Sequence, residues 1–417
     1  MNKNDRRALL LGCNGGVGRA VLTLLERTDA GRRLLDRLDA VILVDRVPAD
    51  GLVPLGSGVL LPPVTVRSGD DLARLIRDHQ ITEVIDLSSL DTLDCTRVCD
   101  DLGADFLCTS VEEWTGHGPM PTDAAIKRLL PPQRPPLERG SYLVGSGANP
   151  GLVNALVFNA VEAFASRVGV EPTMAALGLH AVLITEEDST VEVDGDPSSD
   201  VFAMTWSPWH CLEELFEPAS FAASNGRVVS LGHEPTACWY AARCGDRIIE
   251  GMAVPHEEIV TLAQRLPSVE IGFIYRLPPA ARRALKAHPT RRVPEKWATR
   301  KLYPPTTTRL AGGDRVGVLL CSRRFGELWM GFDTSVETGR AFGTNATQLQ
   351  VAAGVLAGWS QLGRRRGLHF VEDLDCREFV QSAVEVLGSP IVVHDPAAAP
   401  LALAERRSRA FVAAAAR

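Results

Sequence analysis

The chain has 417 residues, of which 45% are hydrophobic and 23% charged, with a net charge of −7; it is too long for one ordinary core and predicts two or three domains. The acidic balance argues against a nucleic-acid partner, and no apolar run reaches the length of a signal-peptide core or a membrane span. Nine cysteines without Cys-x-x-Cys pairs, Cys95 and Cys99 a helical turn apart among them, predict core packing in a reducing cytoplasm, with no disulfide framework and no metal centre.

Residues 8–11 predict a strand, and Gly12-Cys13-Asn14-Gly15-Gly16-Val17-Gly18 a glycine-rich turn into a helix running to about residue 35. At Gly12, Gly15, Gly16, Val17 and Gly18 the backbone can approach a pyrophosphate, which the first-turn amides of the helix would hold. The second strand, 40–44, ends in Asp45, the place of an acid that binds a ribose 2′-hydroxyl, so NAD is favoured over NADP. Arg46 beside it is the residue that would take a 2′-phosphate instead. A helix over 70–79, a strand over 83–87, a helix over 93–102 and a strand over 105–109 continue the alternation of a Rossmann-type doubly wound parallel sheet. Ser88, Ser89, Thr109, Glu112 and Glu113 fall at strand C-terminal ends, the edge where such sheets bind ligands.

A Pro-rich segment, 130–136, precedes a strand and then Gly147-Ala148-Asn149-Pro150-Gly151. Asn149 is biased to an extended conformation by the proline, and Pro150 can begin the helix that follows through 152–165. The Asn149 carboxamide would face a nicotinamide or a substrate, or else cap that helix. From about 170 to 330, strands with longer loops (178–185, 227–231, 269–275 and 315–322) predict an inserted α+β domain with a mostly antiparallel sheet. Glu186 and Asp188 are read as carboxylates just past a strand end, and His256 is a further candidate beside Glu257 and Glu258. Thr205-Trp206-Ser207-Pro208-Trp209 precedes Glu213, Glu214 and Glu217. An indole face attracts a cation and a carboxylate completes the cage, although an amphipathic segment with a solvated acidic face would read the same way. A helix rich in Ala and Gly over 351–362, an acidic turn at 372–375, a final helix and an Ala- and Arg-rich tail close the chain. The division expected is 1–150 for the dinucleotide, 151–335 for substrate and dimerisation, and 336–417 as helices packing back on the first domain.

Several strings in this order resemble bacterial homospermidine synthase, within the saccharopine-dehydrogenase-like group. They are Leu107-Cys108-Thr109-Ser110-Val111-Glu112-Glu113-Trp114, Gly147-Ala148-Asn149-Pro150-Gly151, Glu186 with Asp188, Thr205-Trp206-Ser207 with Glu214, Pro218 and Ala219, Asn345-Ala346-Thr347 on to Val351, and Val371-Glu372-Asp373-Leu374-Asp375. The resemblance implies an NAD-dependent homodimer acting on a diamine or polyamine. In that chemistry an amine of putrescine is oxidised to an imine, a second amine captures it with loss of ammonia, and the new imine is reduced. The family's substrate-binding residues fall on Glu112, Asn149, Glu186, Trp206 and Glu214. The chain departs from the family in a glycine loop one residue longer, in Glu113 where proline is usual, in Pro208-Trp209, and in Ser220-Phe221-Ala222-Ala223 replacing a Trp-Gly region.

Hydride loss from the carbon beside nitrogen requires that nitrogen to be uncharged, while the far ammonium is held. Glu214 and Glu112, with Asp188, are expected to hold the charged end, Trp206 to stack on cationic character, Glu186 or His256 to accept the proton, and Asn149 to orient. Two other readings remain open. A saccharopine- or carboxyspermidine-type reductive condensation of an amino acid with a carbonyl would need cations such as Arg276, Arg323 or Arg324, and a dinucleotide sensor would need no acidic set.

Overall fold

Seven strands form an all-parallel sheet in the computed structural model, which describes residues 6–408 apart from 49–51, 53–55, 57, 115–119, 135, 197, 289–296, 298–299 and 304–307. Across the sheet they run Gly367–His369, Ser141–Leu143, Asp105–Cys108, Glu83–Asp86, Arg7–Leu11, Ala40–Val44 and Gly58–Leu60. The central strands are continuous apolar runs because helices cover both faces. The order reverses beside Arg7–Leu11, where a crevice opens at the C-terminal edge of a doubly wound sheet. Two of the strands, Gly58–Leu60 and Gly367–His369, are too short to leave a periodic signal and escape the sequence reading.

The second sheet has ten strands and is antiparallel except where Glu270–Arg276 runs parallel to Leu179–Asp188. Its centre pairs Leu179–Asp188 with Gly313–Ser322, and Gly313–Ser322 with Gly326–Ser335. Two buried apolar helices, Leu152–Val168 and Ala346–Gln361, lie in the core that joins the two sheets, so one hydrophobic cluster runs from Leu10 and Ile85 through Leu156 and Leu356 to Ile184 and Val318.

Four expectations are corrected. The helix expected to reach residue 35 breaks at Thr28, whose Oγ1 accepts from Gly31 N at 2.9 Å and caps a second helix, Asp29–Leu35. Pro150 does not begin the next helix: it starts at Leu152, and the Asn154 side chain accepts from Gly151 N at 2.9 Å, so Asn149 is not its cap. The acidic run from Glu186 to Asp188 is not past a strand end but forms its last residues, Leu179–Asp188. The segment after 336 supplies strands as well as helices, with Gly367–His369 in the parallel sheet and Ile391–Asp395 paired to Gly326–Ser335 in the other. The Ala- and Arg-rich tail, 409–417, lies outside the described residues. Among the described residues no helix is long and apolar enough to cross a membrane.

Candidate active site

A cleft of ≈ 1520 Å³ opens at the C-terminal edge of the parallel sheet and takes its lining from both sheets. On the parallel-sheet side, the glycine turn is shaped first by its own packing. Gly12 has φ 75°, and a Cβ there would lie 2.7 Å from Leu87 O; a Cβ on Gly18 would lie 2.3 Å from Gly12 O. Of the turn residues singled out in the sequence, Val17 lines the cleft. Gly15 at the helix N-cap offers no side chain, so the first-turn amides of Gly16–Arg27 have no side-chain cap and can receive an anion. Asp45 is tied to this turn: Oδ2 accepts from Asn14 N at 2.9 Å and Oδ1 from Val47 N at 3.1 Å. Arg46, Ser88, Ser89 and Thr109 line the cleft beside it. Ser88 donates through N and Oγ to Asp86, whose burial pushes its carboxyl up to about 6.

The opposite side is acidic. Alternation along Leu179–Asp188 puts Glu186 and Asp188 on one face, while Glu187 on the other meets Arg276 and Arg247. Glu186 lines the cleft and accepts a hydrogen bond from Asn149 Nδ2. Asp188 sits deeper, away from the cleft lining, and accepts from Thr205 Oγ1 at 2.6 Å and Thr190 N at 2.8 Å. In register beside it on the next strand is Asp314, fully buried and accepting from Thr347 Oγ1 at 2.6 Å. Burial raises all three carboxyls; the charge of Asp188 raises Glu186 further, and the charges of Glu186 and Asp188 raise Asp314. Asp314 went unnoticed in the sequence because only strand register brings it to Asp188.

Trp206 leads into the helix Pro208–Leu215, which Ser207 caps by accepting from His210 N at 3.3 Å and Pro208 opens. Trp206 Nε1 donates to Tyr275 Oη at 3.1 Å, fixing the indole on the cleft wall. From that helix Glu214 enters the cleft, and desolvation pushes its carboxyl up to about 8. Glu112 accepts from Ser110 Oγ at 2.9 Å and is raised by burial to about 7. Glu113 is paired instead with Arg128, and Trp209 stands at the cleft beneath the Arg300 guanidinium, 4.7 Å from its ring.

His256 is 6% exposed, with Nδ1 against Glu258 and 3.4 Å from Glu257 Oε2. Burial alone would lower it, but the Glu258, Glu257 and Glu214 carboxylates prevail and hold it at about 10. The polar atoms of His256, Glu257 and Glu258 lie within 4.8 Å of one another, so both carboxylates face the charge of the imidazolium. Glu257 also accepts from Val111 N at 3.0 Å, linking this group to the loop that carries Glu112.

The cleft thus gathers Asn149, Glu186, Trp206, Glu112, Glu214 and His256 with Ser88, Ser89 and Thr109, and leaves Asp188 behind the wall. The arginines that could hold a substrate carboxylate lie elsewhere. Arg276 is 3.3 Å from Glu187 Oε1, and Arg324, one residue past Arg323, donates to Ala176 O at 2.7 Å. A homospermidine synthase of Mesorhizobium japonicum is 22% identical over 90% of this chain and 87% of its own length. The chain is similar to homospermidine synthase throughout. The homospermidine synthase of Legionella pneumophila, solved in complex with NAD, superposes with a TM-score of 0.78 at 19% identity, covering 97% of this chain and 98% of that one. A saccharopine dehydrogenase (L-Glu forming) of Saccharomyces cerevisiae shares the fold at a TM-score of 0.56 and 13% identity, over 93% of this chain and 100% of that one. No protein-family model matches the chain.

Proposed function

We propose that the chain is a homospermidine synthase-like aminoalkyl transferase. It oxidises one diamine, joins the resulting imine to a second amine with loss of ammonia, and reduces the product to a secondary amine. The observation that carries this is the charge of the cleft: among the described residues Glu112, Glu186, Glu213, Glu214, Glu217 and Glu257 line it with Trp206, Glu113 is paired with Arg128, and the cationic side chains on the lining are Arg46 and the His256 imidazolium. Such a lining attracts di- and polycations and repels an amino-acid carboxylate. The reductive condensation of an amino acid, which needs a cationic partner in the cleft, is therefore disfavoured.

NAD fits the parallel-sheet side. The uncapped first-turn amides at Gly16 and Val17 would hold its pyrophosphate, Asp45 its ribose, and Ser88, Ser89 and Thr109 the remainder. When bound it supplies a hydride acceptor and later the donor. On the substrate side, Glu186 takes the proton from the reacting ammonium. An amine titrates near ~10, so raising the Glu186 carboxyl narrows the gap the proton must cross. Asn149 aims Glu186, and Trp206, locked by Tyr275, faces the cationic carbon–nitrogen unit. Glu214 and Glu112 hold the far ammonium. His256, carrying its proton, acts as a donor, and Asp188 supports Glu186 from behind. Residues 1–150 hold the cofactor, 151–335 the substrate and the dimer contact, and the described part of 336–417 ties the two sheets together, in a cytoplasmic homodimer.

The test is incubation of the purified protein with putrescine and NAD⁺, with amines followed by mass spectrometry. Homospermidine and ammonia without net NADH are expected. NADPH consumption with an amino acid and an aldehyde, and none of these products from putrescine, would replace this reading with the reductive condensation.

A further inference from the structure

His210 lies on the helix Pro208–Leu215, after Trp206 and before Glu214 in the chain, and it lines the cleft with both. Its backbone N donates to Ser207 Oγ at 3.3 Å, which fixes the turn that carries it. Beside it stands Glu112, brought from the other half of the molecule by the loop after Asp105–Cys108. That loop is anchored from two directions: Glu112 N donates to Thr92 Oγ1 at 2.9 Å, and Val111 N to Glu257 Oε1 at 3.0 Å. Ser110 Oγ donates to Glu112 Oε1 at 2.9 Å, and Oε2 of the same carboxyl lies 3.9 Å from His210 Nε2.

That separation is too long for a hydrogen bond between the two and suits a donor shared by both. Charge-assisted hydrogen bonds run at about 2.8 Å, so two acceptors of one ammonium nitrogen, a tetrahedral angle apart, stand roughly 4.6 Å from each other. At 3.9 Å the angle at nitrogen closes to about 90°, and each N–H still points within roughly 10° of its acceptor. The ring is suited to accept. Desolvation holds His210 below the usual imidazole range, against the charges of Glu213 on its own helix and of Glu257 on the helix Glu257–Arg265, so one ring nitrogen keeps a lone pair. A hydrogen on Nε2 would find no bond to Glu112 at this distance, whereas a lone pair there meets an incoming N–H. His256, in the same cleft, is held charged by Glu258 and Glu257 and has no lone pair to offer.

We propose that Glu112 Oε2 and His210 Nε2 jointly seat the far ammonium of the diamine, and that this pair selects a primary ammonium over an N-methylated one. The proposal rests on the amine-coupling function above. A primary ammonium has three N–H groups, and burying it with one of them unbonded is costly. Glu112 takes one and His210 the second; Glu214, four residues further along the same helix face, is placed for the third. A methyl in place of any of these hydrogens leaves an acceptor bare and sets carbon against it. His210 therefore acts on which amine is held, at the end of the substrate away from the bond that changes.

The test is calorimetric titration of NADH-loaded protein, on which an amine cannot be oxidised, with putrescine and with N,N,N′,N′-tetramethylputrescine, whose two ends each carry a single N–H. The wild type should prefer putrescine. His210→Phe keeps a ring without an acceptor; it should raise the putrescine Kd roughly 10- to 100-fold and move the tetramethyl Kd by less than about threefold. His210→Gln returns an acceptor and should recover most of the preference. An unchanged putrescine Kd in His210→Phe overturns the proposal, and so does an equal loss for both amines, which a ring that only packs would give. Nitrogen-15 spectra of the histidine rings read the same pair without affinities, His210 being the signal missing from both variants. Its Nε2 should carry no hydrogen at neutral pH and should shift when putrescine is added; an imidazolium, or no shift, overturns the proposal. If putrescine binds with this pattern but yields no homospermidine, the function reading falls and the ammonium seat stands. If homospermidine forms while His210→Phe binds both amines as the wild type does, the seat falls alone.

Discussion

Asn149 and Glu186 reach each other from different sheets, and the Asn149 carboxamide donates to the Glu186 carboxylate where the two sheets meet. Asn149 hangs from the loop after Ser141–Leu143 of the parallel sheet, and Glu186 stands near the end of Leu179–Asp188 of the other. The bond makes the proposed base part of both halves of the molecule. What keeps the loop in place is a close approach: Ser146 Oγ donates to Gly354 O at 3.0 Å, and a Cβ on Gly354 would lie 1.9 Å from Gly147 O.

Gly354→Ala should therefore push the helix Ala346–Gln361 off the Asn149 loop. The expected result is a fall in thermal midpoint together with a loss of kcat larger than any change in KM, because the base is no longer aimed. Differential scanning calorimetry and steady-state kinetics read both; an unchanged kcat would separate the loop from Glu186.

Glu214→Gln removes one charge-assisted contact to the far ammonium. Such contacts contribute about 1.5–3 kcal/mol, so the diamine KM should rise roughly 10- to 100-fold with a smaller change in kcat. Unaltered kinetics would remove Glu214 from the site.

The raised carboxyls predict how binding depends on pH. Below about 7, Glu112 and Glu214 carry protons and have no charge to offer an ammonium, so affinity for putrescine should tighten as pH rises through about 7 and about 8. It should weaken again near ~10, where the amines lose their own charge. Calorimetric titration in buffers of different ionisation heat should also show proton release on binding near neutral pH. Affinity flat across this range would contradict the cage.

Trp206→Leu deletes the ring face, and a desolvated cation–π contact of about 2 kcal/mol converts to roughly a 30-fold loss in kcat/KM. Trp206→Phe keeps a ring but loses the bond to Tyr275 Oη, and should fall between the two. A leucine variant as active as the wild type would leave Trp206 a packing residue.

Stability should respond to the buried trio. Glu186, Asp188 and Asp314 have folded-state pKa values above those of the unfolded chain, so their contribution is complete at acid pH and is lost as pH rises through the folded values. The thermal midpoint of the ligand-free protein should fall from weakly acid to alkaline pH, and Asp314→Asn should flatten that fall. A midpoint that rises with pH would contradict the assignment.

Much of this was legible in the sequence, and the rest was hidden for identifiable reasons. The strand–glycine-turn–helix opening is local, and Gly12, Asp45 and the alternation after them could be read from spacing alone. The placing of Trp206 just before, and Glu214 at the end of, one short helix was also local. Asp314 was not legible, because its partner Asp188 is 126 residues away in the chain and only the antiparallel register joins them. Glu372 was visible as part of an acidic turn, but nothing in the sequence shows that its carboxyl turns inward to Asn154. The strand Leu179–Asp188 was cut short because charge at its end resembles a loop, whereas those charges are paired or buried across the sheet.

The most direct test of the central claim uses putrescine deuterated on both nitrogen-bearing carbons, with catalytic NAD⁺ and unlabelled buffer. If the protein borrows a hydride and gives it back, mass spectrometry should find homospermidine with all the deuterium of both parent diamines and no build-up of labelled NADH. Deuterium stranded in NADH or missing from the product would mean that oxidation and reduction are not coupled on one bound cofactor, and the transferase account would be wrong.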